Sequence, residues 1–236
     1  MKKFELTSEF ITNVFGVKLF RIRALVEFGD VKAGEPGGYV EKEENLDQDG
    51  DAWVCGDARV YGDARVYGDA EVCGNAEVCG DARVYGDAWV YGNARVYGDA
   101  RVYGDAWVYG DARVYGDARV YGDARVCGDA RVCGNARVYG DARVYGDAEV
   151  CGDADYATVK GFGRYNRNPT FFRCKDGKVR VSCGCFFGDT DEFRAIVKRT
   201  HGDGKLAKEY LAIADLMEMH FAKEGEDDTA RNPQTV

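Results

Sequence analysis

Histidine is almost absent from this chain: His201 and His220 are the only two in 236 residues. Chemistry that needs an imidazole base in the right place, or several imidazoles around a metal, has little to draw on. Proline is equally scarce, three residues against 31 glycines, a combination that points to a repeat. No apolar run approaches the roughly eighteen residues of a membrane span, and MKKFELTSEF lacks the apolar stretch of a secretory leader. A cytoplasmic chain without membrane contact is expected. An excess of positive charge is also missing. At a net charge of −9, nucleic acid and anionic membranes are not attracted unless basic groups gather on one face. Nine cysteines, an odd number in a chain without an export signal, are expected as reduced thiols and not as a disulfide scaffold.

What is abundant is a six-residue unit. From Asp51 to Gly152 the chain runs through seventeen uninterrupted hexads of the form D/N-A-x-V-Y/C-G, beginning DAWVCG, DARVYG, DARVYG. A unit this small cannot bury its own apolar face and must stack on copies of itself. Ala and Val alternate with x and Tyr or Cys, the period of a strand, and Gly followed by Asp or Asn makes a corner. Three such flat faces close a triangular coil of eighteen residues. Val40 and Leu46 are read in the alanine register ahead of the first hexad, and Ala154 and Tyr156 continue it beyond the last. The result is about six coils, a prism on the order of 30 Å tall at ~4.8 Å per coil.

The run V-Y-G-D-A-R, an aliphatic residue with a small residue four positions later, resembles the hexapeptide repeat of left-handed parallel β-helices. The resemblance covers nearly half the chain and implies left-handed crossovers, against the usual right-handed rule. The expected fold is mainly β: a left-handed parallel β-helix of about six triangular coils with an N-terminal β cap and a C-terminal α+β module. KLFRIRALVEFGDVKAGEPGGYVE before the hexads and DGKVRVSCGCFFGDTDEF after them resemble hexapeptide-repeat proteins of bacteriophages and gut Firmicutes, some of them labelled polymer-forming. That resemblance carries over no catalytic residues.

Stacking every eighteen residues sorts the outward side chains into columns on three faces. One is uniform: Arg65, Arg83, Arg101, Arg119 and Arg137 beside Tyr67, Tyr85, Tyr103, Tyr121 and Tyr139. Guanidinium groups with aromatic neighbours are what phosphate contact and base stacking use, which makes this a candidate anion face. Yet the hexads hold eleven Arg against fourteen Asp and three Glu, so a zwitterionic surface with Asp columns offsetting Arg columns is the plainer reading. A second face mixes Arg59, Glu77, Arg95, Arg113, Arg131 and Glu149 with Tyr61, Cys79, Tyr97, Tyr115, Cys133 and Cys151. The third carries all three tryptophans, Trp53, Trp89 and Trp107. Its Trp89, Tyr91, Trp107 and Tyr109 form a square bordered by Glu71 and Arg125, a candidate contact patch.

The ends differ in composition, as a stack with open strand edges requires. Residues 1–44 read as a β cap, 45–157 as the β-helix, 158–222 as a hairpin with two helices, and 223–236 as a disordered tail. In the hairpin the Asp176-Gly177 turn is expected to place Cys174 opposite Val179, Phe172 opposite Val181 and Thr170 opposite Cys183. Cys174, Val179, Val181, Cys183 and Cys185 then share a face. Cys183, Cys185 and His201 are a weak metal candidate that lacks a fourth ligand, so no metal and no cofactor are expected. Asp189-x-x-Glu192 starts one helix, with Phe193, Ile196 and Val197 as its buried stripe. Leu206, Tyr210, Ile213, Met217 and Phe221 mark the second helix, as core or oligomer contact.

The resemblance brings enzymes into view, and missing residues disfavour each. CoA-dependent acyltransferases of the hexapeptide class use a histidine on or beside the β-helix as general base, and the hexads have none. A γ-type carbonic anhydrase needs three zinc-binding histidines. An ice-binding β-helix presents Thr ladders, and the hexads contain no Thr. The expectation is a non-enzymatic structural or interaction protein, a homo-oligomer or one bound to a protein partner. The alternatives are a phage-type binder of a host factor or small anionic ligand, and a base reaching across an oligomer for acyl transfer.

Overall fold

The computed structural model describes residues 2–162 and 168–222; the tail from Lys223 to Val236, expected to be disordered, lies outside the described residues. Each hexad contributes one strand of two or three residues ending at or just after its valine, such as Arg65–Val66, Trp89–Val90 and Arg101–Tyr103. The glycine that follows turns the chain, with φ between 59° and 74° at every corner from Gly56 to Gly146. A side chain is disfavoured there twice over. The left-handed region disfavours it, and a Cβ at Gly86 would lie 3.0 Å from the backbone nitrogen of Gly104 in the next coil.

Each strand pairs in parallel with the strands eighteen residues away, as Arg101↔Arg83 and Arg101↔Arg119 show. This builds three sheets of nine, six and five strands, one per face. The molecule is a parallel β-solenoid of about six turns. Every inward Ala and Val from Ala52 to Val150 has zero exposure, so the interior is two alternating columns per face. Burying one valine contributes ~1.5 to 3 kcal/mol, and no layer of the prism lacks the contribution.

The N-terminal cap continues the nine-stranded sheet. Strands Phe4–Thr12 and Lys18–Ala24 form an antiparallel hairpin, and Pro36–Val40 joins it to the first hexads. Phe4, Ile22 and Ala24 close the upper end of the core. The alanine register expected for Val40 and Leu46 is not what forms: Val40 pairs with Val60 and Leu46 bridges Val66, so both sit in the valine columns. The first coil is two residues longer than the rest: Val40 and Leu46 keep the six-residue step of a hexad, but Asp47, over Tyr67, is four residues from Asp51, over Asp69, where a hexad has two.

The C-terminal cap is a four-stranded antiparallel sheet, Tyr156–Thr158, Thr170–Arg173, Val179–Cys183 and Phe186–Asp189. Ala154 does not continue the inward register; it is exposed in the turn Asp153–Asp155, and Tyr156 begins the cap. The hairpin register is one residue from the expected one: Thr170 pairs with Ser182, Phe171 with Val181, Phe172 with Arg180 and Arg173 with Val179. Cys174 N–H donates to Lys178 O at 2.9 Å, leaving a three-residue loop in which Gly177 has φ 78°. A two-residue turn at Asp176-Gly177 would have shifted every pair. The slip moves Cys174 to the face opposite Val181 and Cys183. Phe172 and Cys174 pack on the lower end of the prism core, while Phe171, Val181 and Cys183 pack on the helices.

Helices α1 (Thr190–His201) and α2 (Lys205–Phe221) cover that second face. The expected capping box is present: Glu192 N–H donates to Asp189 Oδ1 at 2.8 Å and Asp189 N–H to Glu192 Oε2 at 3.0 Å. Among the described residues no helix is long and apolar enough to cross a membrane.

Val120 faces the filled prism, so Val120→Asp, burying an unpaired carboxylate at a cost of several kcal/mol, should abolish the cooperative thermal transition followed by circular dichroism. In the hairpin loop the Arg180 guanidinium and the Lys178 N–H hold the Asp176 carboxyl down at about 2. A depressed carboxylate adds stability above its unfolded pKa, and that stability is lost as pH falls toward the folded value. In a carbon-13 NMR titration Arg180→Gln should move the Asp176 midpoint back up toward the ordinary carboxylate range.

Candidate functional site

The uniform face is a stack of rings. Tyr67, Tyr85, Tyr103 and Tyr121 follow one another at 4.8, 4.8 and 4.9 Å with interplanar angles of at most 4°. Tyr139 continues at 5.4 Å, and buried Tyr156 closes the lower end edge-on at 6.4 Å and 88°. Burial pushes the Tyr85 and Tyr121 hydroxyls above their ordinary range. Beside the rings the five arginines stand in register, Arg65↔Arg83 and onward to Arg119↔Arg137. Among the described residues none has a carboxylate within salt-bridge distance; Asp63, the nearest corner carboxylate in sequence to Arg65, pairs with Lys42 at 2.7 Å. The Asp columns therefore offset the arginines through the surrounding field and not by contact. On the mixed face one ladder pair does meet, Arg95 Nε to Glu77 Oε2 at 3.6 Å, and Tyr61 donates its hydroxyl hydrogen to Glu77.

Two hollows flank the tyrosine stack. The upper, about 500 Å³, lies under the turn Glu43–Asn45 against Arg65, Tyr67 and Arg83. The lower, about 410 Å³, lies among Arg137, Tyr139, Asp153, Tyr156 and His220. Sequence reading placed His220 only on a helix; the docking of α2 brings it to the foot of the prism. The upper hollow follows from the longer first coil, which counting back from the hexads does not reveal.

On the third face the ends are occupied by the caps. Trp53 is 3% exposed under Phe28, ring to ring at 5.4 Å, and Arg143 N–H donates to Thr170 Oγ1 at 3.2 Å. The middle is outward. Trp89, 40% exposed, stacks on Trp107 at 5.7 Å, and Tyr91 stacks on Tyr109 at 4.9 Å. Tyr91 meets Trp107 edge-on at 6.1 Å, and the Arg125 guanidinium lies 5.0 Å from the Trp107 ring centre. The sequence-derived square is thus one connected aromatic surface. Burial, and then the charge of Asp30, pushes the Glu71 carboxyl above its usual range.

The cysteines require a correction. Cys55–Cys73 and Cys133–Cys151 are disulfides, with Cα atoms 4.7 and 4.3 Å apart, where reduced thiols were expected. The cause is register: two cysteines eighteen residues apart share an outward column, at a spacing near the short end of what a disulfide spans. The same stacking left no trace in an odd total. Cys183, Cys185 and His201 do not converge on a metal. Among the described residues no group of three or more His, Cys, Asp or Glu could hold one, and the His201 ring rests against Tyr210 at 5.9 Å.

Comparison with known proteins agrees with this geometry. The YdcK β-solenoid repeat matches residues 52–68, 58–74, 76–92, 94–110, 112–128, 130–146 and 136–152, all of them inside the prism. The chain is thus similar to that repeat over its solenoid. No curated protein matches the chain.

Four of the nine cysteines form the two disulfides, which leaves Cys79, Cys127, Cys174, Cys183 and Cys185 outside them as thiols. Denatured without reductant, the protein should release about five equivalents of thionitrobenzoate, and after reduction about nine. Nine before reduction would show both columns to be dithiol.

Proposed function

We propose that the chain is a non-enzymatic structural protein, a rigid solenoid of the left-handed hexapeptide-repeat kind met in bacteriophages, that assembles with a second copy of itself through the tryptophan face. The observation that carries this reading is the order of side chains. Down the face one column reads Glu71, Trp89, Trp107, Arg125 and its neighbour Cys73, Tyr91, Tyr109, Cys127. A two-fold axis lying in the face, along the strands and midway between the Trp89 and Trp107 coils, maps each column onto itself with the solenoid direction reversed. Trp89 then meets Trp107 of the second copy, Tyr91 meets Tyr109, and Glu71 meets Arg125. An isologous contact needs a self-complementary patch. Here an aromatic centre lies between opposite charges, the usual anatomy of an interface core and rim. Glu71 has no cation within salt-bridge distance among the described residues, and a guanidinium from the second copy offsets its desolvation.

Two other readings each have one observation in favour. Capture of a small anion draws on the unpaired arginine column of the tyrosine face. Acyl transfer draws on His220 at the lower hollow, and turnover of acetyl-CoA lost in His220→Gln would establish it. The self-complementary order of the tryptophan face favours the structural reading over both.

Sedimentation equilibrium should give twice 26.0 kDa. Glu71→Arg or Arg125→Glu alone sets like charges face to face and should weaken the dimer by roughly tenfold or more, while the double exchange should restore it. A parent that stays monomeric at about 100 μM, or a double variant no better than the singles, overturns the reading.

A further inference from the structure

The tyrosine stack is closed at one end and open at the other. Asp47 N–H donates to Val66 O at 3.0 Å, the same ladder bond that Tyr67 N–H makes to Val84 O at 3.1 Å one coil below. Asp47 therefore stands in the tyrosine column directly above Tyr67, where continuing the pattern would require a sixth ring. Among the described residues no ring lies on that outer face of Tyr67, and the hollow of about 500 Å³ opens against it. At the foot of the column Tyr156 fills the corresponding place. The volume is within the range of small-molecule sites.

We infer that this hollow is a binding site for a planar heteroaromatic anion of the nucleotide type, whose ring takes the missing place in the stack. Rings at the 4.8 Å spacing of Tyr67 and Tyr85 accept a further flat ring regardless of its identity, since every base has a π-face. The edges of the hollow restrict the choice. Glu43 is paired with Lys2 at 2.5 Å, which leaves the Glu44 and Asp47 carboxylates to accept hydrogen bonds from the ligand. Asp47 already accepts from Asp49 N–H through one oxygen and keeps further acceptor capacity. A ring with adjacent N–H donors on one edge fits such acceptors, and guanine is the nucleobase that presents two side by side. Arg65 and Arg83, without carboxylate partners, stand where a phosphate would draw charge-assisted hydrogen bonds. The inference rests on the tyrosine face being a ligand surface and is independent of assembly through the tryptophan face.

The test is calorimetric titration of the full chain with guanosine 5′-monophosphate, with guanosine and inorganic phosphate as separate probes. Guanosine monophosphate should bind more tightly than either part alone. Tyr67→Leu should weaken it about tenfold or more, as loss of one base–aromatic stack does, and Tyr139→Leu at the far end should change it less than about twofold. Arg83→Gln should weaken the nucleotide while leaving guanosine unchanged. Sedimentation of Tyr67→Leu checks that assembly is intact, which separates failure of this site from failure of the dimer. No binding up to about 5 mM, or equal losses from Tyr67→Leu and Tyr139→Leu, overturns the site. Inorganic phosphate binding as tightly as the nucleotide also overturns it and leaves only an anion face.

Discussion

Everything in this protein depends on a residue lying directly over the equivalent residue one coil away. Parallel, in-register pairing puts Val over Val and Ala over Ala inside, and the corner glycine over the next corner glycine. That contact leaves little room for a Cβ, and together with the positive φ it favours glycine at every corner. The outward columns follow without further specification. Tyrosines stack because their backbones do, and cysteines eighteen residues apart meet for the same reason.

Self-stacking also creates the problem of like on like. Tyrosine gains from it, since offset ring stacking adds to burial. Arginine and aspartate do not, and the structure handles them in several ways. In one corner column Asn75 and Asn93 replace aspartate, and Asn93 Nδ2 donates to Asp111 Oδ1 at 3.1 Å. On the mixed face Glu77 breaks the arginine column and meets Arg95. On the tyrosine face, among the described residues, none of the five arginines has a carboxylate within salt-bridge distance, and the Asp columns offset them only through the surrounding field. Where a face departs from uniformity, as at Glu71, Trp89, Trp107 and Arg125, the departure is local and sequence-coded, because one substituted hexad alters one position on one face.

The two caps solve the open-edge problem by different routes. The N-terminal cap extends one sheet with an antiparallel hairpin and lengthens the first coil, and the upper hollow is a consequence. The C-terminal cap sets a sheet across the end of the prism with aromatic residues on both sides. Phe172 turns to the solenoid core and Phe171 to the helices. Arg180 ties the two parts together, reaching Asp176 in its own hairpin at 2.8 Å and Asp147 in the last coil at 3.4 Å.

The solenoid, its inward and outward alternation, the composition of each face and the start of α1 were all legible in the sequence. Those features are local or strictly periodic, and a period of six repeated seventeen times leaves no freedom in register. The aromatic square was legible for the same reason. What only the tertiary structure decided lies where the period ends. A three-residue loop instead of a two-residue turn moved Cys174 to the other side of its sheet. A first coil two residues too long moved Val40 and Leu46 to the valine columns and left Tyr67 uncovered. Phe28 hid Trp53, and α2 carried His220 to the foot of the tyrosine stack. Each depends on how one chain end closes against a prism already formed, and that closure is set by loop length and packing between segments distant in sequence, which no repeat unit encodes.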